Sequence, residues 1–285
     1  MAKDAGFERS LLEYGDFLMS QVTKILQLTD FHLFGDQQTK LIGINPLQTL
    51  QHVLAKVTID ISKNYPDLVI LTGDISQDYS LESYKIVTKN FQFFQCPVVA
   101  TMGNHDYFPM FNKVFGNPTQ IITKISSATN WRILILNSNW PKHVDGQITG
   151  NDLIFLQKNL EMSSDQPTII FIHHHVLPID SNWLDRINLR NASEFLAIID
   201  QYKNVKAVVC GHVHQDTTIY RQDVIFLSTP STSWQFAVKS YNFSLDNLMP
   251  GYRWINLYED GTIKTEVVRI EHNDMFVPDT SSRGY

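Results

Sequence analysis

With 285 residues, 43% of them hydrophobic and 12% aromatic, the chain can bury a sizeable core and does not have the composition of a disordered protein. A formal net charge of −6 argues against nucleic acid or an anionic membrane as partner, yet leaves room for a small phosphorylated ligand held by metals or a local basic patch. Two cysteines in apolar surroundings, Cys96 and Cys210, read as buried thiols of a reducing, cytoplasmic compartment, and no apolar run approaches the ~18 residues of a membrane span.

The opening MAKDAGFERSLLEYGDFLMS is charged throughout and lacks an apolar h-region, so residues 1–21 are expected to be an N-terminal extension rather than a secretion signal. KILQLTDFH is a strand that breaks at Asp30. NPLQTLQHVLAKVTIDISK has helical spacing, with Leu47, Leu50, Val53, Leu54 and Val57 on one face, Asn45 as cap and Pro46 at the first helical position. DLVILTGD is a buried strand ending at Gly73 and Asp74, and SLESYKIVTKNFQFF a helix opened by a serine. PVVATMGNHD is a strand ending at Asn104 to Asp106, and RILILNS another ending near Asn137. GNDLIFLQKNL is a helix, and TIIFIHHH a strand ending in His173, His174 and His175. NASEFLAIIDQYKN is a helix with an asparagine as its capping candidate, and VKAVVCGHVH a strand ending at His212 and His214. This alternation favours an α/β architecture with parallel buried strands. From DTTIYRQDVIFLSTP through YRWINLYEDGTIKTEVVRI the pattern is β-rich, with Asp260-Gly261 as a hairpin turn, and a second sheet packed on the first is expected. Without linker, repeat or low-complexity segment, residues 1–285 read as one domain, and 276–285 as an extended tail.

Five strand ends therefore deliver Asp, Asn and His: Asp30 and His32 in TDFH, Asp74 in TGD, Asn104, His105 and Asp106 in GNHD, the triplet from His173, and His212 and His214 in GHVH. The carboxyl ends of α/β strands are where ligand-handling loops lie. Oxygen and imidazole donors without thiolate suit Mn, Fe or Zn. The set is too large for one ion and about right for two sharing a carboxylate, a pair ~3.5–4 Å apart that can clamp attacking and leaving oxygens. D-x-H and H-x-H put both side chains on one face if the chain is extended, and Gly73, Gly103 and Gly211 allow unusual backbone angles and close approach.

Each fragment alone has an ordinary reading. D-x-H is a common turn pair, the aspartate of G-D often caps a helix, N-H-D can form an Asx turn, and G-H-x-H can be a surface loop or a core histidine. The ordered series D-x-H, G-D, G-N-H-D, H, G-H-x-H, each piece following an apolar strand, is what points to a metal centre.

That series, from Asp30 to His214, resembles the calcineurin-like metallophosphoesterase superfamily. The stretches LQLTDFHLFGD, HHHVLPIDSNWLDRINLRNASEF, STPSTSWQF, SYNFSLDNLMPGYRWINL and FVPDTSSRGY are similar to the bacterial class III 3′,5′-cyclic-AMP phosphodiesterases. The resemblance implies an α/β (α+β) fold: a β-sandwich of two mixed sheets flanked by helices, in four αββα layers. It implies two divalent or mixed-valence transition-metal ions, iron or manganese ahead of zinc. Asp30, His32 and His214 would bind the first, Asp74 would bridge, and Asn104, His173 and His212 would complete the second. His105 would contact phosphate and protonate the leaving oxygen, with Asp106 orienting it, and His32, Asp74, Asn104, His105, His173 and His214 would line the substrate phosphate. His173 is the triplet member in the ligand position. His174 is expected to face the opposite side, and His175 to return to the site's edge. Many superfamily members carry proline soon after the ligand histidine, whereas here Val176 follows the triplet and Pro178 comes later.

The function implied is hydrolysis of 3′,5′-cyclic AMP to 5′-AMP by in-line attack of a metal-bridging hydroxide, by a monomer or homodimer with a small-molecule substrate. Two alternatives differ in kind: a broader phosphoesterase acting on other cyclic nucleotides or small phosphodiesters, and a regulatory protein with a retired metal site, against which stands the retention of every motif ligand. Trp234 and Phe236, just past G-H-x-H, either stack on a purine or pack in the core.

Overall fold

The structure, a computed structural model, describes residues 22–122, 130–162 and 164–284. The expected extension over 1–21, and Tyr285 of the tail, lie outside them. The strands and helices run β1 (Val22–Leu28), α1 (Pro46–Ile61), β2 (Leu68–Thr72), α2 (Leu81–Phe91), β3 (Val98–Thr101), α3 (Phe108–Phe115), β4 (Gln120–Ile122), β5 (Arg132–Ile135), α4 (Gly150–Glu161), β6 (Thr168–Phe171), α5 (Ala192–Ile199), β7 (Val205–Cys210), β8 (Thr217–Arg221), β9 (Val224–Ser228), β10 (Gln235–Phe236), β11 (Leu245–Asp246), β12 (Gly251–Tyr258) and β13 (Ile263–Arg269).

Two large mixed sheets face each other, one ordered β13-β12-β1-β2-β3 and the other β4-β5-β6-β7-β9-β8. The alternation of apolar residues along each buried strand sorts them between two sides. Ile25, Leu68, Ile70, Ile169, Phe171, Ala207 and Val209 meet in the space between the sheets. Their neighbours Leu26, Leu28, Val69 and Leu71 turn outward under α1, α2 and α3, and Ile170, Ile172, Val208 and Cys210 turn outward under α4 and α5. The result is the expected four αββα layers. Phe171 is fully buried at the centre of the sandwich, two residues before His173. Phe171→Ala should cost about 3–5 kcal/mol of stability, read as a lower midpoint in urea unfolding.

The α1 helix starts as its sequence dictates: the Asn45 side chain accepts from the N–H groups of Leu47 and Gln48, and Pro46 occupies the first turn. Ser80 and Thr149 cap α2 and α4 in the same way. Asn191 does not cap α5. Its amide instead accepts from Ile148 N–H (3.1 Å) and donates to Ile148 O (2.9 Å), pairing with a neighbouring loop as a strand would. The short helix α3 was not anticipated, because its start is hidden in the motif GNHDYF and its length barely exceeds two turns.

The C-terminal β-rich region is distributed differently from expectation. The hairpin of β12 and β13 turns at Asp260-Gly261, with Gly261 at φ +84°, but it extends the first sheet through antiparallel pairing of β12 with β1. The second sheet is built by β4 to β7 from the middle of the chain, joined by β8 and β9 from the start of the β-rich region. A 3-10 turn at Asp274–Phe276 follows, and Phe276 is buried against the α1 side of the core. Beyond it the described residues form no helix or strand, though Asp279 N–H still donates to Ile42 O (2.8 Å). None of the described helices is long and apolar enough to cross a membrane.

Candidate metal centre

Within each sheet the parallel strands, β1, β2 and β3 in one and β6 and β7 in the other, point their carboxyl ends the same way, and the motif loops leave from there. These loops are tied to one another by backbone bonds: Asp30 N–H donates to Gly73 O (3.1 Å), and both Phe31 and His32 donate to Asp74 O (2.8 and 2.9 Å). Glycine is required where they touch. A Cβ on Gly103 would overlap the Asp74 carboxylate, and one on Gly211 would overlap the side chains of Thr29 and Asp30.

Asp30, His32, Asp74, His212 and His214 all adopt left-handed backbone angles, with φ between +48° and +66°. Such angles cost non-glycine residues energy and cluster where a site demands them. They also correct the reading of D-x-H and H-x-H as extended pairs. The side chains of each pair converge through left-handed turns, not through strand alternation.

The donor atoms fall into overlapping groups, each within 4.8 Å: Asp30 with His32 and His214, His32 with Asp74 and His105, Asp30 with Asp74 and His173, and His173 with His174 and His212. Asp30 and Asp74 each belong to two of these groups. Asn104 joins through Oδ1, 3.2 Å from His173 Nε2. All are buried except Asn104 and His105, which are half-buried and mark the side on which the site opens.

The outer hydrogen bonds fix which nitrogen faces inward. His214 Nδ1 donates to Trp234 O (2.8 Å), and His173 Nδ1 donates to Thr72 O (2.7 Å). His32 Nδ1 donates to Gln77 Oε1 (2.7 Å). The lone pairs of His32 Nε2 and His214 Nε2 then face each other across 3.2 Å. His173 Nε2 also points inward, 3.4 Å from Asp74 Oδ2 and 3.2 Å from Asn104 Oδ1, and in the absence of metal it shares a proton with these oxygens. For His212 the assignment reverses, since Nε2 donates to Ile187 O (3.0 Å) and Nδ1 is left for the site. Acceptors converging on acceptors in a buried space are what cations would hold together, so the donor set fits a metal centre.

Titration behaviour follows the same crowding. Burial drives His32 down to about 3 against the pull of Asp74, and it lowers His105, His174 and His212 as well. Burial opposes the His173 cation too, but the carboxylate of Asp74, through charge and a hydrogen bond, together with Asp30 raises it to about 9. Burial also opposes ionisation of Asp30 and Asp74, yet the imidazoles, His214 for the first and His173 for the second, keep both below the usual carboxylate range. Asp106 is pushed up to about 7 by burial and by the charge of Asp74.

Asp106 is buried between the motif loops. Its carboxylate accepts from the backbone N–H groups of Ile75, Ser76 and Gly103 (3.1, 3.1 and 2.9 Å), so it clamps the Asp74 loop to the Asn104 loop. In the same loop as Asp106, His105 N–H donates to Asp74 Oδ1 (2.8 Å).

The triplet wraps His212. His173 is the member that reaches Asp74 and Asn104. His174 bonds Ser138 Oγ through Nδ1 (2.8 Å), while its ring also lies 4.6 Å from that of His212. His175 stacks on His212 at 5.7 Å and lies 3.6 Å from Asp185 Oδ1. Val176, in the place of the expected proline, is buried in the outer core. Trp234 and Phe236 are buried and back the imidazoles, Trp234 stacked on His32 (4.6 Å) and Phe236 on His214 (4.3 Å). Of the two readings open for them, the structure supports packing. Sequence reasoning missed the carbonyls of Thr72, Ile187 and Trp234, which carry no sequence signal, and Gln77, whose surroundings in SQD are unremarkable.

The sandwich, its strand-end loops and the Asp/His/Asn cluster define a class: the chain belongs to the calcineurin-like phosphoesterase family, whose sequence profile matches residues 23–216. Among individual proteins, it is 35% identical to the 3′,5′-cyclic adenosine monophosphate phosphodiesterase CpdA of Vibrio vulnificus, over 95% of this chain and 98% of that one. It is 36% identical to the protein of that name from Haemophilus influenzae (93% and 96% covered), and 35% identical to that from Escherichia coli K12 (92% and 94%). The fold matches a dimetal phosphatase from Danio rerio with a TM-score of 0.63 at 12% identity, covering 87% of this chain and 99% of the other.

Proposed function

We propose that the chain is a metal-dependent phosphodiesterase that hydrolyses 3′,5′-cyclic AMP to 5′-AMP and so lowers cyclic AMP signalling in a cytoplasm. The chemistry rests on one observation above others: inward-facing imidazole nitrogens and carboxylate oxygens packed at 3.2–3.4 Å in a buried cluster. The substrate rests on the relatives, which carry that activity in their names over more than nine-tenths of this chain. The two free cysteines accord with a reducing compartment.

In this reading Asp30, His32 and His214 hold one divalent ion, Asn104, His173 and His212 hold a second, and Asp74 serves both. The thiolate-free donors suit iron or manganese, with zinc next. Bound there, the ions supply neutralisation of the phosphoryl oxygens and acidification of water. The protein does the rest. The shared backbone bonds keep the loops in register, so no reorganisation is needed as charge develops. His105, half-buried at the opening, is held neutral by burial. A phosphodiester anion beside its ring favours the protonated form, from which the ring passes a proton to the ribose O3′ as the P–O3′ bond breaks. Asp106 holds the loop that carries it.

The test is a substrate panel on protein reconstituted with Mn²⁺ or Fe²⁺. Cyclic AMP should lead 2′,3′-cyclic AMP, glycerophosphodiesters and aryl phosphodiesters in kcat/KM. A higher value for any of the others would overturn the assignment of substrate and leave the phosphoesterase chemistry in place.

Metal uptake should depend on pH in a defined direction. In the metal-free protein His173 is raised to about 9, so a metal must displace its proton. Affinity of the second ion is then expected to fall about tenfold per unit as pH drops below 9. Calorimetric titration with Mn²⁺ at pH 7 and pH 8, in buffers of different ionisation enthalpy, reads both the shift and the proton released. Equal affinity at both pH values would contradict the role given to His173.

A further inference from the structure

Two exposed tyrosines stand beside the open side of the metal centre on loops that carry its residues. Tyr107 lies two positions after His105, and Tyr79 two positions after Gln77, whose side chain bonds His32. Each Cα is thus within about 7 Å of a residue of the site or of its immediate support. Their rings are 6.0 Å apart, inclined at 53°, and roughly half of each residue faces solvent, 52% for Tyr79 and 47% for Tyr107. Trp234 and Phe236, the aromatic candidates of the sequence, are covered, whereas these two rings are open to a ligand leaving the phosphate site on this side.

Both rings have rigid mounts. Tyr79 has φ +60°, an unfavourable angle for so bulky a residue. It is held there by Asp78, whose carboxylate takes Gly35 N–H (2.8 Å) on one side and Ser80 N–H (3.0 Å) and Ser80 Oγ (2.7 Å) on the other. Tyr107 N–H donates to the hydroxyl of Tyr84 (2.8 Å), which is itself buried. A strained, pinned residue that presents its ring to solvent gains nothing for the core. It does reduce the ordering cost of a contact made there.

We infer that Tyr79 and Tyr107 form an aromatic cleft that receives the nucleobase of the substrate while the metal centre holds its phosphate. Rings inclined at 53° expose a face of one and an edge of the other, and a purine stacks on the face and meets the edge, the two geometries aromatic groups favour. This rests on the proposed phosphodiesterase reading, and it assigns the base contact that the metal centre cannot supply.

The test compares cyclic AMP with ribose 3′,5′-cyclic phosphate, which has the same reacting diester and no base, on metal-loaded protein. Tyr79→Ala and Tyr107→Ala should each raise KM for cyclic AMP about 5- to 150-fold, the range of a lost base–aromatic stack, with kcat within about threefold. Their kcat/KM on the base-less diester should change far less than on cyclic AMP. Tyr107→Phe, which keeps the ring, should restore KM to within about twofold of the parent. Equal losses on both diesters, or an unchanged KM for cyclic AMP, would overturn the cleft and leave the proposed activity standing. Parent protein inert toward cyclic AMP would overturn both.

Discussion

Replacing Asp74 should lower kcat/KM for cyclic AMP by at least about 10³-fold, the largest effect of any single substitution in the chain. Asp74 belongs to two donor groups, one with His32 and His105 and the other with Asp30 and His173. Its Oδ1 also accepts His105 N–H, and its carbonyl takes the N–H groups of Phe31 and His32. Asp74→Asn keeps the shape and one oxygen for the His105 bond but removes the charge. If the carboxylate's charge is what matters, Asn and Ala variants fail alike and retain fewer than two metal ions by elemental analysis. An Asn variant with more than about a tenth of parental activity would show that charge there is dispensable.

His105→Ala should lower kcat by about 10²–10⁴, the usual worth of a positioned acid, while metal content stays at the parental level. The side chain stands at the opening rather than among the fully buried donors, so its loss leaves the groups of Asp30, His214, His173 and His212 intact. The diagnostic is the leaving group. A ribose O3′ leaves poorly unless protonated, whereas an acidic phenol leaves without help. On an aryl phosphodiester the loss should therefore shrink to under about tenfold. A loss of equal size on both substrates would mean that His105 binds phosphate without donating a proton.

Much of this was legible in the sequence because it depends on local rules. Short apolar runs marked β1, β2, β6 and β7 as strands, Asn45 and Pro46 fixed the start of α1, and Asp260-Gly261 fixed the last hairpin. Every motif residue from Asp30 to His214 arrives in or beside one cluster, since all leave the same ends of parallel strands. What escaped was non-local. Nothing in YRWINLY says that β12 pairs with β1, more than 220 positions away. The outer partners of His173, His212 and His214 are backbone carbonyls, which any residue could provide. The extended geometry assumed for D-x-H and H-x-H gave way to left-handed turns, because tertiary contacts at Gly73 and Gly211 override local preference. Asn191 was read as a cap and found a better partner in Ile148.

The proposed tyrosine cleft and metal centre would divide recognition between them. In the proposed reading phosphate would be held by a buried cluster of charged and imidazole side chains, and a base would be met by two exposed rings on pinned loops. Selectivity among cyclic nucleotides would then reside in loop residues close to, but outside, the donor set.

The most direct test is product analysis of cyclic AMP turned over in ¹⁸O-labelled water by Mn²⁺-loaded protein. The account predicts 5′-AMP as sole product, carrying one ¹⁸O on its phosphate, and no turnover by Asp74→Ala. Formation of 3′-AMP, or cyclic AMP recovered intact from protein that holds two metal ions, would contradict it.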